Sequence, residues 1–198
     1  MSESPLETQK RPMSVEESIL AAARECFMER GVRQTTMAAI ARAAGVSRPT
    51  VYSYFGNVEN LVRKVLTRET VGLLDAVYPP PRDVDVLSEG ITTVALKARD
   101  NEFLSSMVSK DPELLLTYQF QRLGESQEIL VKFLKNVIAR MQREGVAIRE
   151  GDPKVIATHV FMVAQSLVLS AKVLGAVVSS DEEWAHELTA ILKGYLRQ

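Results

Sequence analysis

A single cysteine, Cys26, leaves no partner for an intrachain disulfide. With only two histidines, His159 and His186, the chain also has no Cys/His grouping of the kind that holds a metal. There is no glycine-rich phosphate loop and no H-E-x-x-H pattern, and the two histidines stand 27 residues apart without recognisable partner spacing. Catalysis, a metal site and a cofactor are therefore not expected. Long apolar runs are missing too. The most apolar stretch, Val160 to Val178, is interrupted by Gln165, Ser166, Ser170 and Lys172, which argues against a membrane span. The first dozen residues are polar and carry no apolar segment, so a signal peptide is not expected. A reduced, cytoplasmic setting fits these absences. Cys26 sits near Ile19 and Ala23 on the first predicted helix and reads as an apolar filler.

What is present is ordinary in bulk and uneven in detail. Apolar residues at 46% and charged residues at 25% suit a globular chain, and 198 residues can bury a substantial core as one domain or as a small head and a larger body. The net charge of −1 does not announce a polyanionic partner. The distribution says more. Between Glu29 and Glu59 there is no acidic residue, while Arg30, Arg33, Arg42 and Arg48 all fall there. Attraction to phosphate depends on the local surface rather than on the sum over the chain.

Within that positive island, Thr35 to Phe55 reads as helix, tight turn, helix. Thr35 and Thr36 can cap a start, because a side-chain oxygen accepts from the orphan N–H groups of a first turn. Met37, Ile40, Ala41 and Ala44 recur at helical spacing. Gly45 suits a helix exit, Val46 an inward plug, Ser47 the next cap, and Pro49 the first turn, where a missing N–H costs little. On the second helix Val51 and Phe55 share a buried side, leaving Arg48, Thr50, Tyr52, Ser53 and Tyr54 outside. Two short helices joined by a glycine-containing turn form a helix-turn-helix, and its small, polar outer face fits a DNA major groove. Arg48 could bridge the two acceptors of guanine, and Pro49 and Thr50 could meet a thymine methyl. Thr36, Ser47, Tyr52 and Tyr54 are better placed as donors to phosphates.

The ordered pattern Ile19-Leu20-Ala21-Ala22-Ala23, Phe27, Glu29-Arg30-Gly31, Thr35-Thr36-Met37, Ile40-Ala41, Ala44-Gly45-Val46-Ser47, Pro49-Thr50-Val51-Tyr52, Tyr54-Phe55, Asn57 and Leu61 resembles the N-terminal DNA-binding domain of the TetR family of bacterial transcriptional regulators. It covers about a quarter of the chain. The resemblance implies that Pro49, Thr50, Tyr52 and Tyr54 lie at the DNA surface. It also implies a ligand cavity among the later helices, a change of head spacing on ligand binding, and repression as the default. One position departs: many relatives carry a lysine after the residue matching Asn57, and here it is Val58, so a phosphate contact is lost or taken over by Arg63 or Lys64.

The whole chain reads as all-α, with about nine helices. Residues 1–13 are expected to be a disordered arm, whose Lys10 and Arg11 could reach DNA or simply be solvated. Residues 14–57 form the head, opened by the capping box Ser14 and Glu17. Residues 58–198 form a helical body for effector binding and dimerisation. A long helix from Val58 to about Val77 joins the two. Tyr78-Pro79-Pro80-Pro81 is a hard stop. Val84 to Ala98, a short segment over 103–108, a long helix over 113–143 that Gly124 could break, a helix from Pro153 to about Leu174, and a last helix capped by Ser180 and Glu183 follow.

In the body, Leu74, Tyr78, Phe103, Met107, Tyr118, Arg122, His159 and Met162 are the candidate ligand residues, most of them also readable as plain core. A polar side chain such as His159 in apolar surroundings needs a partner, which a ligand, a second subunit or water could supply. Ala157, Ala164 and Ala171 recur every seven residues on a helix apolar nearly all round, a seam that would let another helix approach; this helix and the last are expected to pair with their copies in a second chain as a four-helix bundle, the alternative being burial inside one subunit. The expected partners are a double-stranded DNA operator, a mainly hydrophobic small-molecule effector and a second copy of the chain, with no membrane. The rival reading is a dimeric DNA-binding protein without an effector.

Overall fold

The computed structural model describes residues 13–77, 79–113 and 124–197. The arm expected over residues 1–13, Met13 apart, and the candidate ligand residues Tyr78, Tyr118 and Arg122 lie outside them. Among the described residues there are nine helices of seven residues or more and no strand. They are α1 (Val15–Arg30), α2 (Met37–Ala43), α3 (Arg48–Phe55), α4 (Val58–Leu74), α5 (Val84–Arg99), α6 (Glu102–Lys110), α7 (Glu125–Arg143), α8 (Pro153–Leu169) and α9 (Asp181–Leu196). The fold is all-α, an N-terminal helix-turn-helix followed by a helical C-terminal part.

Local chemistry sets most of the boundaries. Ser14 and Glu17 form the reciprocal capping box of α1, which stops at Gly31 with φ 80°. Asn57, Asp83, Asn101 and Ser180 each accept a first-turn N–H, opening α4, α5, α6 and α9. Asp152 caps α8 with Pro153 at its first position. Of the helix expected over 113–143, Glu113 is helical, and a described helix follows Gly124, whose N–H is taken by the Gln127 side chain at 2.7 Å. The helix expected to reach Leu174 pauses at Ser170 before a short turn over Ala171–Leu174.

Two apolar clusters organise the chain. The head cluster joins Ile19, Ala23 and Phe27 of α1, Ile40 of α2, Val51 and Phe55 of α3, and Leu61, Val62 and Val65 of α4. The body cluster joins α5, α7, α8 and α9 through residues such as Leu87, Ile138, Val160, Trp184 and Leu188. α6 departs from the expected plan. Its segment was expected among the body helices, yet its Phe103 and Met107 belong to the head cluster. Phe103 is fully buried there, worth about 1.5–3 kcal/mol relative to exposure.

The alanine seam also lies elsewhere. Ala157 and Ala164 are buried within the subunit as part of the body cluster, and Ala171 faces a cavity. The outward face of α8 carries Val155, His159, Met162 and Val163 instead, and α9 adds exposed Ile191. No helix among the described residues is long and apolar enough to cross a membrane.

Candidate DNA-reading surface and the cavity behind it

α2 and α3 are held at a fixed angle by their caps and by the connection between them. Thr36 caps α2, accepting from Ala39 at 3.2 Å. Thr35 does something different from what its neighbour does. It is buried and donates its hydroxyl to the carbonyl of Gly31 at 2.7 Å, tying the start of α2 to the end of α1. Gly45, at φ 67°, takes the left-handed conformation that closes the turn, and Val46 packs half-buried against the head cluster. Ser47 then caps α3 through the N–H of Thr50, and the two hydroxyls bond each other at 2.7 Å.

Val51 and Phe55 turn inward, so Ser47, Arg48, Pro49, Tyr52 and Tyr54 stand exposed on α3 with Thr50 half-exposed beside them. Thr36 is exposed at the near end of α2. The seven candidate DNA residues thus lie on α3 and at the cap of α2. Not all four arginines of the positive island are equal. Arg30 pairs with Glu29 at 3.1 Å and Arg33 with Glu113 at 3.2 Å. Arg42 and Arg48 are exposed and, among the described residues, form no ion pair. Arg42, in the last turn of α2, is the residue sequence reasoning counted in the island but did not put forward as a contact. At the start of α4, Val58 is half-buried against the head cluster, which accounts for an apolar residue at that position. Lys64 is engaged with Glu125 at 3.6 Å, and Arg63 is held by the Asn60 side chain.

Behind the head lies a cavity of about 300 Å³, walled by α4, α5, α6, α7 and α8. Leu74 and Met107 of the candidate ligand residues line it. Phe103, His159 and Met162 do not. Phe103 faces the head core. His159 sits on the outer face of α8, where its Nδ1 donates to the Val155 carbonyl at 2.8 Å and its ring lies against Tyr195 at 6.3 Å. Met162, two turns past Val155, shares that outer face. Apolar character put Phe103 and Met162 among the candidates, and a polar side chain in apolar surroundings put His159 there; burial distinguishes them from the wall.

α6 separates the cavity from the head. Its Leu104, Ser105, Met107 and Val108 line the cavity, while Phe103 and Met107 fill the head core. Polar contacts fix both of its ends. At the start, Asn101 donates to Glu69 of α4 at 2.9 Å, and Glu69 in turn takes Arg24 of α1 at 2.9 Å. At the end, Lys110 donates to the Met28 and Glu29 carbonyls, satisfying the orphan acceptors at the end of α1. Asp111 then accepts the N–H groups of Val32 and Arg33, in the link that leads to α2. At the last residue of α5, just before the cap of α6, Arg99 bonds Asp100 and Asp181 and lies over the Trp184 ring at 5.2 Å. The bond from Asp100, then that from Asp181, hold its pKa above the ordinary guanidinium value.

Comparison with known proteins agrees with this geometry. Residues 19–65 match the family model described as bacterial regulatory proteins, tetR family. Over 178 residues the chain is 36% identical to the uncharacterized HTH-type transcriptional regulator Mb2274c of Mycobacterium bovis, covering 90% of this chain and 92% of that protein. The TetR family repressor AlkX from a Dietzia species, implicated in biodegradation of n-alkanes, shares the fold with a TM-score of 0.65 at 20% identity, over 96% of this chain and 100% of that one. SmeT, the repressor of the Stenotrophomonas maltophilia multidrug efflux pump SmeDEF, does so with a TM-score of 0.64 at 21% identity, over 93% and 91%. With a helix-turn-helix head, a helical body and a relative matched along nearly its whole length, the chain belongs to the TetR family of HTH-type transcriptional regulators.

Proposed function

We propose that the protein is a cytoplasmic homodimeric repressor that leaves a palindromic operator when a mainly hydrophobic small molecule enters the cavity behind the head. The single observation that carries this reading is the position of Met107, which lines the cavity and belongs to the head core at once. A molecule filling the cavity presses on α6, and α6 is tied to α1 and to the link before α2 at both its ends. The long helix α4 joins head and body, but α6 offers the shorter route, with α4 as its support through Glu69. Differential fit of the effector to two positions of α6 is what shifts the equilibrium, since a ligand that fits both equally shifts nothing.

In this reading Arg48 reads bases, with Pro49 and Thr50 against a methyl edge, while Thr36, Tyr52, Tyr54 and Arg42 hold phosphates. Residues 14–57 supply the reading head and residues 58–198 the effector and dimer part, α6 being the piece of the latter built into the former. The dimer face is the outward stripe of α8, Val155, Met162 and Val163, with Ile191 of α9 beside it. A two-fold pair of heads matches a two-fold operator. Leu74 and Met107 are the two ligand contacts retained from sequence.

The test is fluorescence anisotropy on DNA flanking the protein's own gene against random DNA of equal length, at near-physiological salt. A preference of about a thousandfold or more is expected of a specific regulator. A screen of apolar compounds by thermal shift then identifies stabilising ligands, which should release the bound DNA. Stabilising ligands that leave DNA binding untouched would reduce the cavity to a bystander and favour a DNA-binding dimer without an effector.

A further inference from the structure

The cavity is polar at one end only, and the helix registers say which end. Asn101 meets Glu69 while Gly90 meets Val77, so α5 runs antiparallel to α4. Lys64 pairs with Glu125, and Arg140 reaches the Pro81 carbonyl, so α7 starts at the head end and runs away from it. Gln127 donates to Gln165 at 2.5 Å, which brings the later half of α8 to that same end. Thr70, Arg99, Ser105, Ser126, Gln127 and Gln165 therefore gather nearer the head. Val77, Leu87, Ile91, Leu134 and Phe161 close the far end.

Shape narrows the occupant. Along α5 the lining runs from Leu87 to Arg99, which at 1.5 Å per residue is about 18 Å. A cavity of about 300 Å³ whose lining extends over such a length suits an elongated occupant better than a fused-ring body.

Charge narrows it further. Among the described residues Arg99 is the only charged group on the wall, and its guanidinium already faces Asp100 and Asp181, each at 2.8 Å. Among the described residues a carboxylate head would find no cation to itself, and an ammonium head would sit beside a guanidinium; a charge taken out of water without its own partner is disfavoured. Uncharged heads meet hydroxyls at Thr70, Ser105 and Ser126, and a second amide hydrogen on Gln127 beyond the one given to Gln165.

We propose that the cavity takes an uncharged amphiphile, an unbranched hydrocarbon chain bearing a hydroxyl, amide or ester head, with the head at the α6 end. The inference rests on reading the cavity as the effector site and adds the class of molecule. Head placement matters for the response, because Ser105 is on α6 itself.

The test titrates the full chain with decanol, decanoate, decylamine and adamantanol, following thermal melts and the emission of Trp184. That residue is the chain's single tryptophan and lies against Arg99, so it reports occupancy of the polar end. Decanol is expected to stabilise saturably with an apparent Kd at least tenfold below the other three. Gln127→Leu and, separately, Ser105→Ala should each weaken decanol at least threefold without weakening decane. Decanoate or decylamine binding as tightly as decanol overturns the uncharged head; adamantanol doing so overturns the linear chain. Silence from all four overturns the class. The effector reading is judged apart, by the wide apolar screen: hits there with none here sink this inference alone, and no hits in either sink both.

Discussion

Asp111 accepts the backbone N–H of Val32 at 2.7 Å, joining the end of α6 to the turn that leads into α2 across 79 residues of sequence. The carboxyl is almost fully buried, and it also takes the N–H of Arg33 at 3.3 Å. It therefore stands between cavity and reading head as a point through which movement of α6 must pass. Asp111→Ala leaves two backbone donors short of a partner, at about 1–3 kcal/mol of stability. The expected outcome is a protein that still binds operator at reduced temperature but shows a smaller effector-induced loss of affinity, from a coupling that typically amounts to about 1–3 kcal/mol. Melts and anisotropy titrations with and without effector check this. A variant that is less stable yet responds in full would make Asp111 a structural strut only.

Arg48 and Arg42 are the two arginines of the head that form no ion pair among the described residues, and their positions predict different losses. Arg48→Ala should cost about 1–3 kcal/mol at the operator and relax preference there, whereas Arg42→Ala should weaken cognate and random DNA alike and lower the salt slope by about one. Anisotropy at several salt concentrations on both DNAs distinguishes the two. Equal losses on both DNAs for Arg48→Ala would argue against base readout by that residue.

The head was legible because its signals are local. Ser14 with Glu17, Thr36, Gly45, Ser47 and Pro49 each act within a few residues, and caps and turns depend on little else. The body was legible as helices but not as contacts. Phe103 and Met107 are apolar and helical wherever they pack, and nothing in their spacing says that they complete the core of a domain that ends some fifty residues earlier. Thr35 and Thr36 are adjacent hydroxyls with the same capping chemistry, and only the approach of the end of α1 buries one of them. His159 looked like a polar group needing a partner; the partner is the Val155 carbonyl one turn back, a bond any helical histidine with the right rotamer can make. The alanine seam was read as a meeting place for a second chain's helix, yet Ala157 and Ala164 are buried within the subunit, and heptad spacing is the same for either partner.

The outward stripe of α8 predicts how the proposed dimer is broken. Met162 and Val163 are each more than a third exposed, and Ile191 is nearly half exposed, apolar surface that a partner helix would cover. Met162→Glu or Ile191→Glu should give a folded monomer by sedimentation at micromolar concentration, with helical content unchanged and operator affinity lowered because one head must bind alone. Dimers persisting in both variants would move the interface elsewhere on the surface.

The seam between α5 and α9 is electrostatic, and its pH dependence has a sign. Asp85 receives Lys193 at 2.8 Å and Arg197 at 2.6 Å, and the bond from Lys193 leads in holding its carboxyl below the ordinary 3.8. Asp85 likewise leads, ahead of Glu89, in holding Lys193 above its ordinary 10.5. A depressed carboxyl contributes stability that is present above its unfolded pKa and lost as pH falls through the folded one; a raised ammonium contributes below its unfolded pKa and loses it as pH rises through the folded value. Between those limits the seam is intact. Asp85→Asn should therefore lower the melting temperature at neutral pH, and the gap from the parent should close on acidification through the depressed pKa of the parent carboxyl, below the ordinary carboxylate range. Both side chains keep access to solvent, so the gap at neutral pH should be small and should shrink further in high salt. A gap that stays constant from neutral to acid pH would mean that packing of Leu188 and Leu192 against α5, rather than charge, holds α9 in place.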